Sequence, residues 1–331
     1  MNKWIFVAAI IFATSCGTNV HRNQKEMQAI SENALQTAMD NNPSLIAGCV
    51  SILSVSDGTQ MASTSLSRTG SPKDLTTTVS LPIGGLAQTS ALMYLRESYG
   101  VQYSDKVPTN HGQLANTEGR DPLIADYEYQ TGKSEISLFE GFLNSAPYPV
   151  SYMADKWISQ SANDIESFYA ATRNYYGTDG ILSFPQPHGH TEMREGLFAT
   201  VSGRSLETTL YQVTRFYNYI ANSGNGVCSR ETADSLKVLL RQVVTEGTGA
   251  VLRDSEVTVA GKTGIGQVPA GLFFEQEEQD DTPAYYVSFV GFYPYEEPKY
   301  TIGVTFFSSP AVSYAQAQSA AREIIEKTVY L

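Results

Sequence analysis

The chain has 331 residues, of which 42% are hydrophobic and 17% charged, with 26 glycines and 14 prolines. This is the composition of a globular protein, and it excludes a disordered, collagen-like or coiled-coil chain. Lysine and arginine number 22 against 34 aspartates and glutamates, a formal charge of −12. An acidic surface repels phosphate backbones, so we expect no nucleic-acid partner. Three cysteines are too few for a disulfide framework or a closed zinc site.

The first residues are typical of an export signal. Lys3 precedes an apolar run of ten residues, from Trp4 to Ala13, which is short for a membrane span. Small residues and then Cys16 follow, as in a bacterial lipobox, with Ala13 where the lipobox usually has leucine. We predict a signal peptide over 1–15 and a lipid-anchored tether over 16–25, which would make this a periplasm-facing membrane lipoprotein. The alternative is an ordinary cleaved signal with an incidental cysteine.

The hydrophobic pattern of the remaining chain alternates between helix and strand periods. The predicted elements, in chain order, are a helix over Glu26–Asp40, a hairpin of strands over Leu45–Val55 and Gln60–Ser65, a helix over Ile83–Ser98, an irregular insertion over 103–135, helices around 136–145, 151–158 and 162–176, helices over Leu206–Asn222 and Ser229–Thr245, strands over Glu256–Lys262, Tyr285–Tyr293 and Tyr300–Phe307, and a helix over Tyr314–Val329. This order predicts an α+β fold. Terminal helices would cover a five-stranded, mainly antiparallel sheet, with a helical subdomain inserted between strands 2 and 3.

Few residues suggest a metal or a disulfide. His188 and His190 form a pair, but no acidic or cysteine ligands lie at a fitting spacing, so we predict a loop and no metal or other cofactor. Removal of the signal leaves Cys49 and Cys228 beside Cys16. Nothing in the sequence indicates that they are close, and we expect two separate, partly buried thiols.

The segment around Lys262-Thr263-Gly264 resembles the Lys-Thr-Gly motif of penicillin-binding proteins and serine β-lactamases. Its neighbours fit the transpeptidase domain of penicillin-binding proteins in the same order. These are the opening hairpin Ile52–Met61, Gln212 with Ile220–Gly224, Gly247–Gly249, Ser288–Pro294 and the closing helix Ala321–Tyr330. The resemblance covers residues 26–331 and implies one transpeptidase-like domain that acts on the bacterial cell wall. In the family, the Lys-Thr-Gly strand binds the substrate carboxylate and aligns the peptide, which gives Lys262, Thr263 and Gly264 as predicted substrate-binding residues.

The family's nucleophile is the serine of a Ser-x-x-Lys motif at the start of a helix. The lysine lies one turn later on the same face and takes the proton of the serine. In this chain the motif falls on Gly84 and Ala87, and no lysine has a serine or threonine three residues before it. The resemblance therefore implies that the nucleophile and its base are absent.

The family's second motif, Ser-x-Asn, has two candidate positions. Ser145 lies at the expected place, but Pro147 replaces the asparagine. Ser161 and Asn163 match the pattern literally at a later place. Both possibilities remain open from the sequence.

The leading hypothesis is a catalytically inactive member of this fold that binds peptidoglycan stem peptides or cell-wall synthesis proteins. The alternative is an active D,D-transpeptidase, carboxypeptidase or β-lactam hydrolase, with a nucleophile drawn from Ser80, Thr89, Ser90 and Ser145 and with Lys262 as the base. A third hypothesis is a partner-binding module with no peptidoglycan contact. A hydroxyl and an amine in contact at the head of the helix would contradict the leading hypothesis.

Overall fold

The computed structural model describes residues 3–69, 74–109, 132–177, 190–268, 272–273 and 284–331, with side chains from residue 20 onward except at 190 and 191. Most of the insertion predicted over 103–135 and the whole His188 position therefore lie outside the described residues. Within the described part of the chain, no group of three or more His, Cys, Asp or Glu residues is arranged to hold a metal ion. Cys49 and Cys228 are free thiols. Cys228 is partly buried, whereas Cys49 is fully buried rather than partly buried as predicted.

The helices and strands are bounded as follows. The helices are α1 (Lys3–Asn41), α2 (Ala87–Tyr99), α3 (Leu138–Leu143), α4 (Tyr148–Trp157), α5 (Ala162–Tyr176), α6 (His190–Val201), α7 (Leu210–Ala221), α8 (Arg230–Glu246) and α9 (Ala315–Thr328). The strands are β1 (Leu45–Ser54), β2 (Gln60–Ser67), β3 (Leu81–Pro82), β4 (Lys106–Pro108), β5 (Glu135–Ser137), β6 (Glu207–Thr208), β7 (Ala260–Gln267), β8 (Tyr285–Tyr293) and β9 (Tyr300–Ser308).

The main sheet has five strands in the order β2-β1-β9-β8-β7, and every neighbouring pair is antiparallel. The predicted α+β fold is confirmed, including the helical insertion between β2 and β7. Two short ladders, β3 with β6 and β4 with β5, connect parts of that insertion.

Side chains alternate between the two faces of the sheet, and each face has its own apolar core. On one face Phe306 of β9 packs in a cluster with Leu35 of α1 and Ile324 of α9. On the other face Phe307, the next residue, joins the cluster formed by the inserted helices, including Phe216 of α7. The sheet is therefore buried on both sides, and its outer strand β7 is the edge that faces the insertion.

Several boundaries differ from the prediction. The strand predicted over Glu256–Lys262 begins only at Ala260, where pairing with Phe292 of β8 begins. Helix α7 begins at Leu210 because Thr209 and Gln212 form a reciprocal capping box before it. Helix α6 was not predicted, although Met193, Leu197 and Val201 are buried at helical spacing.

Helix α1 begins at Lys3 and continues without a break to Asn41. Its backbone thus includes the segments predicted as a signal peptide (1–15) and a tether (16–25), as well as the predicted helix over Glu26–Asp40. Among the described helices, none combines the length and the apolar character that a membrane crossing requires. The signal peptide and the lipidation of Cys16 remain predictions.

Candidate active-site cleft

The candidate site lies where the start of α2 meets the edge of the sheet. A 3₁₀ turn, Gly84–Leu86, leads directly into α2. A Cβ atom on Gly84 would lie 2.4 Å from the carbonyl oxygen of Ile265 in β7, and Gly84 has a φ of +54°. The turn can approach β7 this closely because glycine has no side chain and tolerates positive φ.

A second loop holds the turn from the opposite side. The backbone N–H of Gly84 donates to the carbonyl oxygen of Gly203 at 3.0 Å. A Cβ atom on Gly203, whose φ is +78°, would lie 1.9 Å from the carbonyl oxygen of Gly84. Three backbone segments thus pack in direct contact, so their relative positions are tightly constrained.

Lys262 is fully buried next to this turn. Its Nζ atom donates a hydrogen bond to Oγ of Ser145 and lies 5.2 Å from the centroid of the Phe142 ring. Burial disfavours the charged ammonium and lowers the pKa of Lys262 from 10.5 to about 7. Near neutral pH a substantial fraction of this amine is therefore unprotonated and able to accept a proton.

Ser145 lies in the short connection between α3 and α4, with a φ of +56° that is uncommon for a residue with a side chain. Its Oγ lies 3.4 Å from Oγ1 of Thr248, and the hydroxyls of Thr248 and Thr263 share a hydrogen bond of 2.8 Å. A chain of polar groups thus runs from Lys262 through Ser145 and Thr248 to Thr263. Strained backbone of this kind often occurs at functional sites.

The structure separates the two candidates for the second motif. Ser145 lines the cleft, together with Pro147. Ser161 is the N-cap of α5, where it accepts from the backbone N–H of Asp164, and Asn163 is exposed in the first turn of that helix. The geometry therefore favours Ser145, which has no asparagine partner two residues later.

The contacts around Lys262 favour a register for the first motif that is one residue later than the predicted one. A Cβ atom on Gly85 would lie 3.3 Å from Nζ of Lys262, whereas a side chain on Gly84 would collide with β7. Three residues after Gly85, on the same helix face, is Gln88 rather than Ala87. Gln88 lines the cleft and donates to the carbonyl oxygen of Ser145 at 3.2 Å, while its own Oε1 has no hydrogen-bond partner within the described part of the chain. This geometry favours Gly85 over the predicted Gly84 for the nucleophile position, and Gln88 over the predicted Ala87 for the position of the base.

Among the alternative nucleophiles, the structure brings one to Lys262. Thr89 is buried and hydrogen-bonds the hydroxyl of Tyr217 at 2.7 Å, and Ser90 is buried and donates to the carbonyl oxygen of Ala87 at 2.9 Å. Neither these two residues nor Ser80 lines the cleft, whereas Ser145 does. The expectation that no hydroxyl and amine meet at the head of α2 was therefore wrong. This contact counts against complete inactivity and supports Ser145 as an alternative nucleophile. The helix start itself still offers Lys262 no side chain, because Gly85 lies there.

The cleft itself has a volume of about 850 Å³ and is open to solvent. The cleft is lined by the second half of β7, by the turn at Gly84, by the connection at Ser145 and by the segment around Arg204. Ile265 of β7 is 43% exposed in this cleft. A space of this size accommodates several residues of an extended peptide.

The order of motifs along the chain and the contact between Lys262 and Ser145 agree on a class, the α+β fold that penicillin-binding proteins share with serine β-lactamases. Within that class, a family model described as the penicillin-binding protein transpeptidase domain matches residues 101–328, more than half of the chain. The chain belongs to this family. A comparison with curated proteins gives no significant match.

Solved transpeptidase structures share the fold at low sequence identity. The transpeptidase domain of penicillin-binding protein 3 from Burkholderia pseudomallei is 17% identical with a TM-score of 0.71, over 92% of this chain and 94% of that one. The transpeptidase domain of a D,D-transpeptidase from Legionella pneumophila is 17% identical with a TM-score of 0.62, and the match covers 92% of this chain and 95% of that one. A structure of a peptidoglycan glycosyltransferase from Burkholderia ambifaria is 17% identical with a TM-score of 0.71, and the match covers 92% of this chain and 95% of that one.

Replacing Lys262 by methionine should stabilise the protein in a pH-dependent way. The pKa of Lys262 is about 7 in the folded state and 10.5 when unperturbed. Between pH 7 and pH 10.5 the unfolded chain therefore binds more protons than the folded chain. Lys262 therefore destabilises the fold fully below about pH 7, and this penalty fades as the pH rises towards 10.5. Lys262→Met should raise the free energy of unfolding at pH 6 by on the order of a few kcal/mol, and by much less at pH 10.

Urea unfolding of both proteins at pH 6, 8 and 10 measures this difference, and the titration of buried tyrosines cancels because both proteins contain them. Lys299→Met, which removes an exposed lysine, is the matched control and should show no such trend. A pH-independent gain for Lys262→Met would contradict the lowered pKa.

Proposed function

We propose that the cleft binds a peptidoglycan stem peptide that ends in D-alanyl-D-alanine, and that the site lacks the family's acyl-transfer nucleophile. The observation that carries the proposal is Gly85. The position at the helix start that faces Lys262 has no side chain, and the residue one turn later is an amide that cannot act as a base at neutral pH. Loss of a serine nucleophile costs on the order of 10⁶ in kcat.

Peptide binding does not need that nucleophile. In an antiparallel ladder, alternate residues direct their N–H and C=O groups away from the neighbouring strand. The carbonyl oxygens of Thr263 and Ile265 lie towards the turn at Gly84 and Gly85, so these two residues present outward backbone groups at the cleft. An extended peptide that lies along β7 would gain main-chain hydrogen bonds there.

Ser145 and Lys262 support a second candidate function, slow acyl transfer. A buried amine with a pKa of about 7 is suited to general-base catalysis, and it is hydrogen-bonded to a hydroxyl that lines the cleft. In that reaction Oγ of Ser145 would attack the acyl carbon and Nζ of Lys262 would take the hydroxyl proton. The proton would then pass to the leaving nitrogen as its C–N bond breaks.

The place of action follows from the N-terminal sequence. We infer that residues 1–15 direct export and that a lipid on Cys16 attaches the protein to a membrane facing the cell wall, where stem peptides occur. Metabolic labelling with a fatty-acid analogue tests this inference. The label should be incorporated into the wild-type protein and not into Cys16→Ala, and equal labelling of both would exclude Cys16 as the modified residue.

Peptide binding is expected to weaken when an acidic side chain enters the cleft. Ile265→Asp adds a carboxylate at an exposed position of β7, where it would repel the carboxylate of the peptide and interrupt its contact with the strand. We expect the affinity for diacetyl-L-lysyl-D-alanyl-D-alanine, measured by calorimetry, to fall about tenfold or more, roughly 1.4 kcal/mol.

Val238→Asp is the matched control, because Val238 is a similarly exposed aliphatic residue (49%) on α8 and does not line the cleft. It should leave the affinity unchanged. Equal loss in both variants would mean that the peptide does not bind along β7. The absence of binding to the wild-type protein would support a partner-binding module without peptidoglycan contact.

Intact-mass spectrometry after exposure to excess penicillin separates the two candidate functions. We expect the wild-type protein to gain no mass. The double variant Gly85→Ser with Gln88→Lys restores a serine that faces Lys262 and a lysine one turn later, and it should gain the mass of one penicillin. The new Cβ at position 85 would lie 3.0 Å from the carbonyl oxygen of Thr263, which requires a shift of a few tenths of an ångström.

Gly84→Ser with Ala87→Lys is the control for the register. It should fold poorly and stay unacylated, because Gly84 abuts β7 and Ala87 is buried. A mass gain in the wild-type protein that disappears in Ser145→Ala would replace the inactive-site proposal with the Ser145 mechanism. The rate of acylation by penicillin should then rise as the pH increases through about 7, because Lys262 loses its proton there.

A further inference from the structure

The charge of the cleft is opposite in sign to that of the whole protein. The chain has a formal charge of −12. Of the described residues that line the cleft, none is Asp or Glu, and the charged one is Arg204. An acidic protein that keeps its carboxylates out of one cleft and places a guanidinium there is suited to an anionic ligand.

Arg204 extends from a firmly held backbone. It follows Gly203, which is packed against the turn at Gly84, and its own N–H donates to the carbonyl oxygen of Ala199 at 2.8 Å. Its side chain is exposed and forms no ion pair with any described residue. The guanidinium is therefore available to a ligand, while its point of attachment beside the helix start is constrained.

Lys262 is poorly placed for the same task. It is fully buried, its Nζ is hydrogen-bonded to Ser145, and it is not among the residues that line the cleft. The ammonium group of Lys262 is thus not accessible for the carboxylate binding that the motif predicts. Arg204, which lines the cleft, offers a planar donor group that matches a carboxylate in geometry as well as in charge.

We propose that Arg204 binds the C-terminal carboxylate of the peptide in the cleft and so selects peptides with a free C-terminus. This inference rests on the proposed function and adds the residue that recognises the anion. It assigns to the segment between α6 and β6 a role in specificity, and it leaves to β7 the main-chain contacts of the peptide.

The test compares two peptides that differ only in that charge. Diacetyl-L-lysyl-D-alanyl-D-alanine carries one negative charge, at its C-terminus, and its C-terminal amide carries none. Calorimetry with the full-length wild-type protein should show that the acid binds about tenfold or more tightly than the amide. Arg204→Gln should abolish this preference by weakening the acid alone, and Arg204→Lys should retain part of it.

The amide is the control for folding, because its affinity should be the same in the wild-type protein and in Arg204→Gln. Arg253→Gln, which removes an exposed arginine outside the cleft, should keep the full preference for the acid. If Arg204→Gln binds the peptide and still prefers the acid, the role of Arg204 is wrong while the proposed function stands. If the wild-type protein binds neither peptide, the proposed function fails and this inference fails with it.

Discussion

The contact between Lys262 and Ser145 is the constraint on which the site depends. An amine buried without a carboxylate partner is costly, and this cost appears as a pKa lowered to about 7. The cost is tolerated because Lys262 lies at the start of an edge strand, between the core of the insertion and the hydroxyl chain of Ser145, Thr248 and Thr263. A lysine in this position is suited to proton transfer and poorly suited to holding an anion.

The glycines at the start of α2 determine what the lysine faces. Gly84 and Gly203 allow the turn, the 202–204 loop and β7 to pack backbone against backbone. Gly85 then leaves space beside Lys262, and Gln88, one turn later, is a buried amide whose Oε1 has no hydrogen-bond partner among the described residues. The fold of the family is thus retained around a helix start, Gly84–Leu86, that carries no hydroxyl, which is the arrangement that the inactive-site proposal requires.

In the proposed function, the cleft divides its tasks between backbone and side chains. The edge of β7 presents backbone groups, which recognise an extended chain without regard to side chains. Side chains add selectivity, and among the described residues that line the cleft the one cation is Arg204. Since the rest of the protein is strongly acidic, this local reversal of charge limits which anions approach productively, and the remaining surface repels anions in general.

The sequence by itself determined the fold class, the five-stranded sheet and the family, because strand and helix periods and the order of several motifs are properties of the linear chain. It also showed that no Ser-x-x-Lys motif exists. Only the tertiary structure decided that Gly85 rather than Gly84 faces Lys262, that Gln88 rather than Ala87 lines the cleft, and that Ser145 rather than Ser161 contacts Lys262. A glycine has no side chain, so the hydropathy pattern does not indicate which of two adjacent glycines faces a neighbouring strand. Whether a lysine is buried depends on segments more than a hundred residues away in the sequence. Arg204 belongs to no motif, so its place in the cleft emerged only when the chain was folded.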